Sequence, residues 1–216
     1  MNLSEQKKQI LHLMGIPIWQ LKNDPKKNRG PDNFETLKEE VAKCTLCELC
    51  HSRTQTVFGV GNPKTKILFI GEAPGANEDL KGEPFVGRAG QLLDNMLAAI
   101  GLNRKTIYIA NILKCRPPNN RDPLPSEVEK CTPFLLRQIE FIKPKLIVAL
   151  GRIAAHYLLN TKTSLTQLRG KIHQFNQANT PLIVTFHPAY LLRNPIDKAK
   201  AYDDLLFISN YLEDLT

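Results

Sequence analysis

Cys44, Cys47 and Cys50 stand three residues apart, and Cys115 and Cys131 follow far downstream. Four thiolates from such a set can ligate a 4Fe–4S cluster. They can equally hold zinc in a tetrahedron, and a Cys-x-x-Cys pair can be redox active. A second group carries polar chemistry among glycines. Gly71-Glu72-Ala73-Pro74-Gly75-Ala76-Asn77-Glu78-Asp79 follows the apolar run Ile67-Leu68-Phe69-Ile70 directly. Asn111 ends a further apolar run, Thr106 to Ala110, and its carboxamide offers one acceptor and two donors. His187 follows Leu182-Ile183-Val184-Thr185, and a neutral imidazole there has one N–H with which to steady developing negative charge. Each also has a plainer reading. The glycine-rich stretch can be a surface turn, Asn111 can bond its own backbone, and His187 can simply pack at a strand end.

The elements that must position these groups alternate. Ile67–Ile70, Thr106–Ala110, Leu146–Leu150 and Leu182–Thr185 read as strands, because each is a short apolar run bounded by polar or turn residues. Helices are expected over Phe34 to Lys43 and Gln91 to Ile100, and after Ser126, whose spacing to Glu129 fits a capping box. Further helices are expected from Gly151-Arg152 and from Asn194-Pro195, with proline in the tolerated first position. Strands alternating with helices imply an α/β fold, with a central four-stranded, mainly parallel sheet flanked by helices in three layers. Ligands of such sheets bind outside the carboxyl ends of the strands. The Gly71 loop, Asn111, the Gly151 turn and His187 all belong to that edge. Gly59-Val60-Gly61-Asn62-Pro63 reads as a turn, and it is no phosphate loop, since no Gly-Lys-Ser/Thr follows.

Residues 1–33 read as an arm: a short helix from Ser4 to Leu13, then a polar linker around Asn23–Pro31. Residues 34–216 form the expected domain. The chain of 216 residues is 42% hydrophobic and carries a net charge of +8. That composition fits a soluble globular protein, and its charge fits a polyanionic partner such as nucleic acid. No run is long and apolar enough to span a bilayer, and the first residues lack the apolar core of a signal peptide. A cytoplasmic location follows as an expectation, and it argues against a disulfide framework.

Four stretches then resemble, in chain order, the motifs of the iron–sulfur uracil-DNA glycosylases, often called family 4. They are Gly71-Glu72-Ala73-Pro74-Gly75, Pro84-Phe85-Val86-Gly87-Arg88-Ala89-Gly90, Asn111-Ile112-Leu113-Lys114-Cys115-Arg116-Pro117-Pro118 and His187-Pro188-Ala189-Tyr190-Leu191-Leu192-Arg193. The resemblance runs from Cys44 to about Arg193 and leaves the arm uncovered.

The resemblance implies a monofunctional enzyme that flips uracil out of DNA and hydrolyses its N-glycosidic bond, leaving an abasic site. It makes Asn111 the reader of uracil N3–H and O4, and His187 the donor to the departing uracil anion. It gives Phe85 the stacking surface and Ala73 a backbone N–H near uracil O2. Ala73 stands where related glycosylases outside the group carry an Asp that orients water. Glu78 is implied beside the uracil ring, where it would exclude the thymine methyl or hold a water. Glu72 would line the same site or brace the loop. Of Leu191 and Leu192, one is expected to wedge into the base stack, Leu191 ahead of Leu192, unless both pack beneath the final helix. Arg88, Arg116, Arg121 and Arg193 would hold phosphates. Cys44, Cys47, Cys115 and Cys131 would carry a 4Fe–4S cluster, with Cys50 a bystander. The implied protein is a monomer acting on single- or double-stranded uracil-containing DNA, with replication or repair proteins as further partners. Two other readings compete: a non-catalytic, cluster-bearing nucleic-acid-binding module, and an electron carrier, which would call for acidic docking surfaces or a second cluster motif.

Overall fold

Burial on both faces is what the four apolar runs share, and it makes them the middle of one sheet. The computed structural model describes residues 32–175 and 179–214. Its strands are β1 (Val60–Gly61), β2 (Ile67–Gly71), β3 (Tyr108–Asn111), β4 (Leu146–Leu150), β5 (Ile172–Phe175) and β6 (Thr180–Thr185), in the spatial order β1-β3-β2-β4-β6-β5. The central four are parallel, in registers that align Gly71 with Asn111, Ile70 with Ala149, and Leu150 with Thr185. Every residue of β2, β3 and β4 is buried, as a parallel sheet covered on both faces requires.

Nine helices among the described residues accompany the sheet: α1 (Phe34–Ala42), α2 (Leu49–Ser52), α3 (Ala76–Lys81), α4 (Arg88–Ala98), α5 (Pro125–Ile142), α6 (Arg152–Leu159), α7 (Leu165–Leu168), α8 (Pro188–Arg193) and α9 (Lys198–Glu213). Two apolar clusters separate them into layers. On one face, Leu68, Ile70, Ala110, Ile147 and Ala149 pack with Val128, Leu135 and Ile139 of α5 and Ala154 and Ala155 of α6. On the other, Ile67, Phe69, Ile109 and Val148 pack with Leu93, Met96 and Leu97 of α4, Leu191 of α8, and Ala201, Leu205 and Ile208 of α9. The three expected layers are therefore present.

The structure corrects several details. The sheet has six strands rather than four, because β1 and β5 add antiparallel edges to β3 and β6. β1 lies inside the expected Gly59–Pro63 turn. The expected loop after β2 ends at Gly75, where α3 begins, with Glu78 accepting the Gly75 N–H at 3.1 Å. α4 starts three residues earlier than Gln91, after Gly87. α5 opens at Pro125, and Glu127 rather than Glu129 caps it, accepting the Leu124 N–H at 2.8 Å. Proline fixes φ for the first helical residue and so moves the start ahead of Ser126. Asn194-Pro195 leads into a single 3-10 turn, Pro195–Asp197, before α9 begins. α1 begins as expected, with Asn33 Oδ1 accepting the Thr36 N–H at 2.9 Å and Leu37 and Val41 buried. The helix expected over Ser4–Leu13 lies outside the described residues.

Candidate active site and cysteine centre

The parallel registers bring β2 and β3 to the same edge, and four expected residues meet there. Gly71 and Asn111 are direct partners across the strands. A Cβ on Gly71 would collide with Asn111 Oδ1 and stand 2.7 Å from Phe85 Cζ, so only glycine lets that amide and that ring close over the end of β2. The Phe85 ring lies 5.5 Å from the His187 ring, tilted by 34°. Gly151, at φ +89°, makes the matching allowance from β4, since a Cβ there would come within 2.7 Å of His187 Cβ. Asn111 is 2% exposed, and among the described residues its Oδ1 is buried without a partner. A buried acceptor left unpaired costs about 1–3 kcal/mol and calls for an explanation. The Ala73 N–H, in the loop beside it, donates to no described residue.

Phe85 is held in an unusual backbone state, φ +55°. That conformation is unfavourable for a bulky residue and persists only where its surroundings fix it. Two charged side chains do so. Glu78 Oε1 accepts the N–H groups of Val86 and Gly87 at 2.9 and 3.1 Å, while Oε2 holds Gly75. Arg104 donates to the carbonyls of Pro84 (3.0 Å) and Phe85, and to Asp94 at 2.6 Å. Both Glu78 oxygens are thus engaged by backbone amides, which gives Glu78 a bracing role in the Phe85 turn. Arg104 carried no sequence signal.

His187 is the N-cap of α8, and its Nδ1 accepts the Ala189 N–H at 3.1 Å. Burial, helped by Arg193 and opposed by Glu78, pushes the imidazole down to about 4. The ring is neutral at physiological pH, and its remaining proton sits on Nε2. The segment before it is anchored by a buried network. Asp204 Oδ2 accepts from Thr185 Oγ1 and Arg169 Nε, both at 2.7 Å, and the Arg169 guanidinium stands 4.3 Å over the Phe186 ring. Phe186 in turn stacks on Tyr190, whose hydroxyl donates to Asp197 at 2.7 Å.

Glu72 is half-buried, and burial pushes its carboxyl up to about 7, with Asp122 adding and Arg152 opposing. Its electrostatic neighbours therefore belong to the loop before α5 and the start of α6. Leu191 is 1% exposed and packs in the core with α4 and α9, whereas Leu192 is half-buried. A side chain so placed cannot enter a base stack without leaving the core. Arg88 and Arg193 are exposed. Arg116 Nε donates to Asn120 Oδ1 at 2.8 Å. Arg121 makes a two-pronged pair with buried Glu127, at 2.9 and 2.5 Å, so its guanidinium is committed to bracing α5.

Cys44, Cys47, Cys115 and Cys131 line one cavity with Val41, Leu46, Lys114, Lys130 and Phe134, and Cys50 is not among its walls. Arg53 Nη1 donates to Cys115 Sγ at 3.1 Å, and the Lys114 N–H donates to Cys131 Sγ at 3.2 Å. Burial raises the Cys47 and Cys115 thiols and pushes Cys131 up to about 12. Among the described residues, no three ligand side chains converge as a single metal ion requires. Four cysteines around one cavity, two of them accepting N–H groups, fit a group held by thiolates.

Lys114, which lines this cavity, is 1% exposed. Its Nζ donates to the Asn111 carbonyl at 2.8 Å and to Gln138 Oε1 at 2.6 Å, and Gln138 Nε2 donates to the Phe58 carbonyl at 2.9 Å. Burial pushes the ammonium down to about 8, with Cys131 and Cys115 pulling the other way. The sequence offered only one hint of this: a lysine between Leu113 and Cys115 in an otherwise buried stretch.

A parallel sheet with an amide, an aromatic ring and a neutral histidine gathered at its carboxyl edge defines the class. Residues 58–212 match the Uracil DNA glycosylase superfamily. The chain is 48% identical over 170 residues to a Type-4 uracil-DNA glycosylase of Archaeoglobus fulgidus, covering 76% of this chain and 85% of that one. It is 48% identical over 171 residues to one from Sulfurisphaera tokodaii, covering 76% and 78%, and 47% identical over 181 residues to one from Thermotoga maritima, covering 78% and 94%. The chain belongs to the uracil-DNA glycosylase superfamily and, within it, to the type-4 uracil-DNA glycosylases.

Proposed function

We propose that this protein removes uracil from DNA by hydrolysing the N-glycosidic bond and leaves an abasic site. The observation that carries the reading is the orphaned Asn111 Oδ1, buried beside the Phe85 ring. Uracil presents an N3–H to such an acceptor and an O4 to the amide donors, whereas cytosine has no N3–H to offer. A flipped base has both faces free for stacking, and Phe85 supplies one surface. As the bond to the sugar lengthens, negative charge gathers on the base. The neutral His187, with its proton on Nε2, and the Ala73 N–H, unpartnered among the described residues, are the donors to meet it. Glu78 and Arg104 preorganise the Phe85 turn. Glu72 belongs to the loop after β2, with Asp122 and Arg152 as its charged neighbours.

The cavity shared by Cys44, Cys47, Cys115 and Cys131 is assigned to a 4Fe–4S cluster. Bound there, it would cross-link the segment before β1, the β3 loop and α5. The net charge of +8 and exposed Arg88 and Arg193 suit a phosphate backbone, in single or double strands. No helix among the described residues is long and apolar enough to cross a membrane. A cytoplasmic monomer that meets replication or repair proteins completes the reading.

The test is incubation with a labelled oligonucleotide holding one uracil, followed by alkaline cleavage, with a thymine strand as control. Scission only in the uracil strand is the expected result. An intact uracil strand, whether single or double, would reject the assignment.

A further inference from the structure

Lys114 presents an electrostatic problem that its immediate partners do not solve. Its ammonium is 1% exposed, yet both groups that receive its protons are neutral: the Asn111 carbonyl and Gln138 Oε1. Among the described residues no carboxylate lies within ion-pairing distance of it. A buried charge without a counter-charge is strongly unfavourable, and carbonyl dipoles offset only part of that. The cysteines would supply negative charge once they are coordinated as thiolates. Lys114 lines the cavity of Cys44, Cys47, Cys115 and Cys131, precedes Cys115 in the chain, and gives its own N–H to Cys131 Sγ at 3.2 Å. The same side chain then reaches back to the residue whose amide is orphaned in the cleft.

We propose that Lys114 is the strut between the two sites: the coordinated thiolates balance its ammonium, and the ammonium holds the Asn111 carbonyl and so keeps the base reader in place at the end of β3. The inference rests on the functional reading above, which supplies both the cluster and the role of Asn111. Lys114 touches neither base nor sugar and is a positioning residue. The cysteine centre thereby acquires a task beyond stapling the chain, since it pays the electrostatic cost of the group that orients Asn111.

The holoprotein and two variants test it. Lys114→Met keeps the length of the side chain and removes its charge. Its expected signature is retained visible absorbance, a cluster midpoint potential more negative than wild type, and kcat/KM for uracil excision lowered by about tenfold or more, since the buried Asn111 carbonyl is left unpaired. Gln138→Glu leaves Lys114 in place but gives it a local counter-charge. It should move the potential in the same negative direction while excision falls less than in Lys114→Met. If Lys114→Met does not fold, Gln138→Glu decides alone. Wild-type potentials in the variants, or full excision by Lys114→Met, would overturn the strut. The potential reads Lys114 whether or not any uracil is excised. Wild-type protein that spares uracil therefore sinks the functional reading separately.

Discussion

The Ala189 backbone N–H donates to His187 Nδ1 at 3.1 Å, and this one bond decides which face of the imidazole meets the cleft. With Nδ1 occupied as an acceptor, the ring's proton belongs to Nε2. A second proton could go only to Nδ1, at the expense of the Ala189 bond. Burial opposes it too, pushing the group from 6.5 to about 4. The folded value lies below the unfolded one. The stability that neutral His187 contributes is therefore complete above about pH 6.5 and is lost as pH falls towards 4. Wild type should lose more thermal stability than His187→Gln between pH 6.5 and 4, and its excision rate should hold level down to about pH 5 before dropping. Parallel melting curves for the two proteins would remove the neutral-imidazole assignment.

Asn111→Ala should separate stability from function. The change deletes a buried acceptor that has no partner among the described residues, so the melting temperature should hold or rise slightly. Excision should fall by about 100-fold or more, as when a preorganised polar contact to the reacting group is lost. Melting and single-turnover excision measured on one preparation check both halves. Wild-type turnover in a folded variant would strip Asn111 of the reading role.

Glu78→Gln distinguishes a brace from a reacting carboxylate. Gln offers one acceptor where three backbone N–H groups converge, and its NH2 must face at least one of them. The Phe85 turn should loosen, with stability down by about 1–3 kcal/mol and excision down with it. The shape of the pH–rate profile should stay that of wild type. A lost limb in that profile would instead mark Glu78 as a group that titrates in the reaction.

How far the chain could be read in advance follows from where each residue finds its partners. β2, β3, β4 and β6 were legible because burial on both faces writes a continuous apolar run. β5 was not, because an edge strand is bonded on one side only, and Ile172-His173-Gln174-Phe175 buries just its last residue. β1 is two residues long and hides among turn glycines. Asn111, Phe85 and His187 were placed by motif order, and the parallel registers then brought them together. Lys114 went unassigned because its partner Gln138 lies on α5, 24 residues further on, and only the tertiary fold joins them. The contacts of Glu78 and Leu191 were hidden for a related reason: spacing does not say what a side chain already touches.

The five cysteines should divide four to one. Serine at Cys44, Cys47, Cys115 or Cys131 removes a wall of the shared cavity and should cost visible absorbance and bound iron. Serine at Cys50, which is not among those walls, should leave the iron content and the spectrum as in wild type. Iron and sulfide analysis of the five variants checks this. A colourless Cys50→Ser protein beside a Cys47→Ser protein that keeps its colour would redraw the ligand set.

Leu191→Ala tests whether the leucine belongs to the core or to the DNA. At 1% exposure among α4 and α9 residues, it should behave as a core truncation and cost about 2–5 kcal/mol of stability. A wedge would behave otherwise, leaving the free protein's melting temperature alone and weakening its grip on duplex containing a flipped base. Burying a leucine is worth about 1.5–3 kcal/mol, and pulling it out to fill the gap in a stack would forfeit that contribution at the moment of binding. The half-buried Leu192 forfeits less, so Leu192→Ala should reduce duplex affinity more than stability. Melting temperatures and binding to an abasic-site duplex, measured for both variants, decide between the two leucines. A Leu191→Ala protein as stable as wild type would return the wedge to its first candidate.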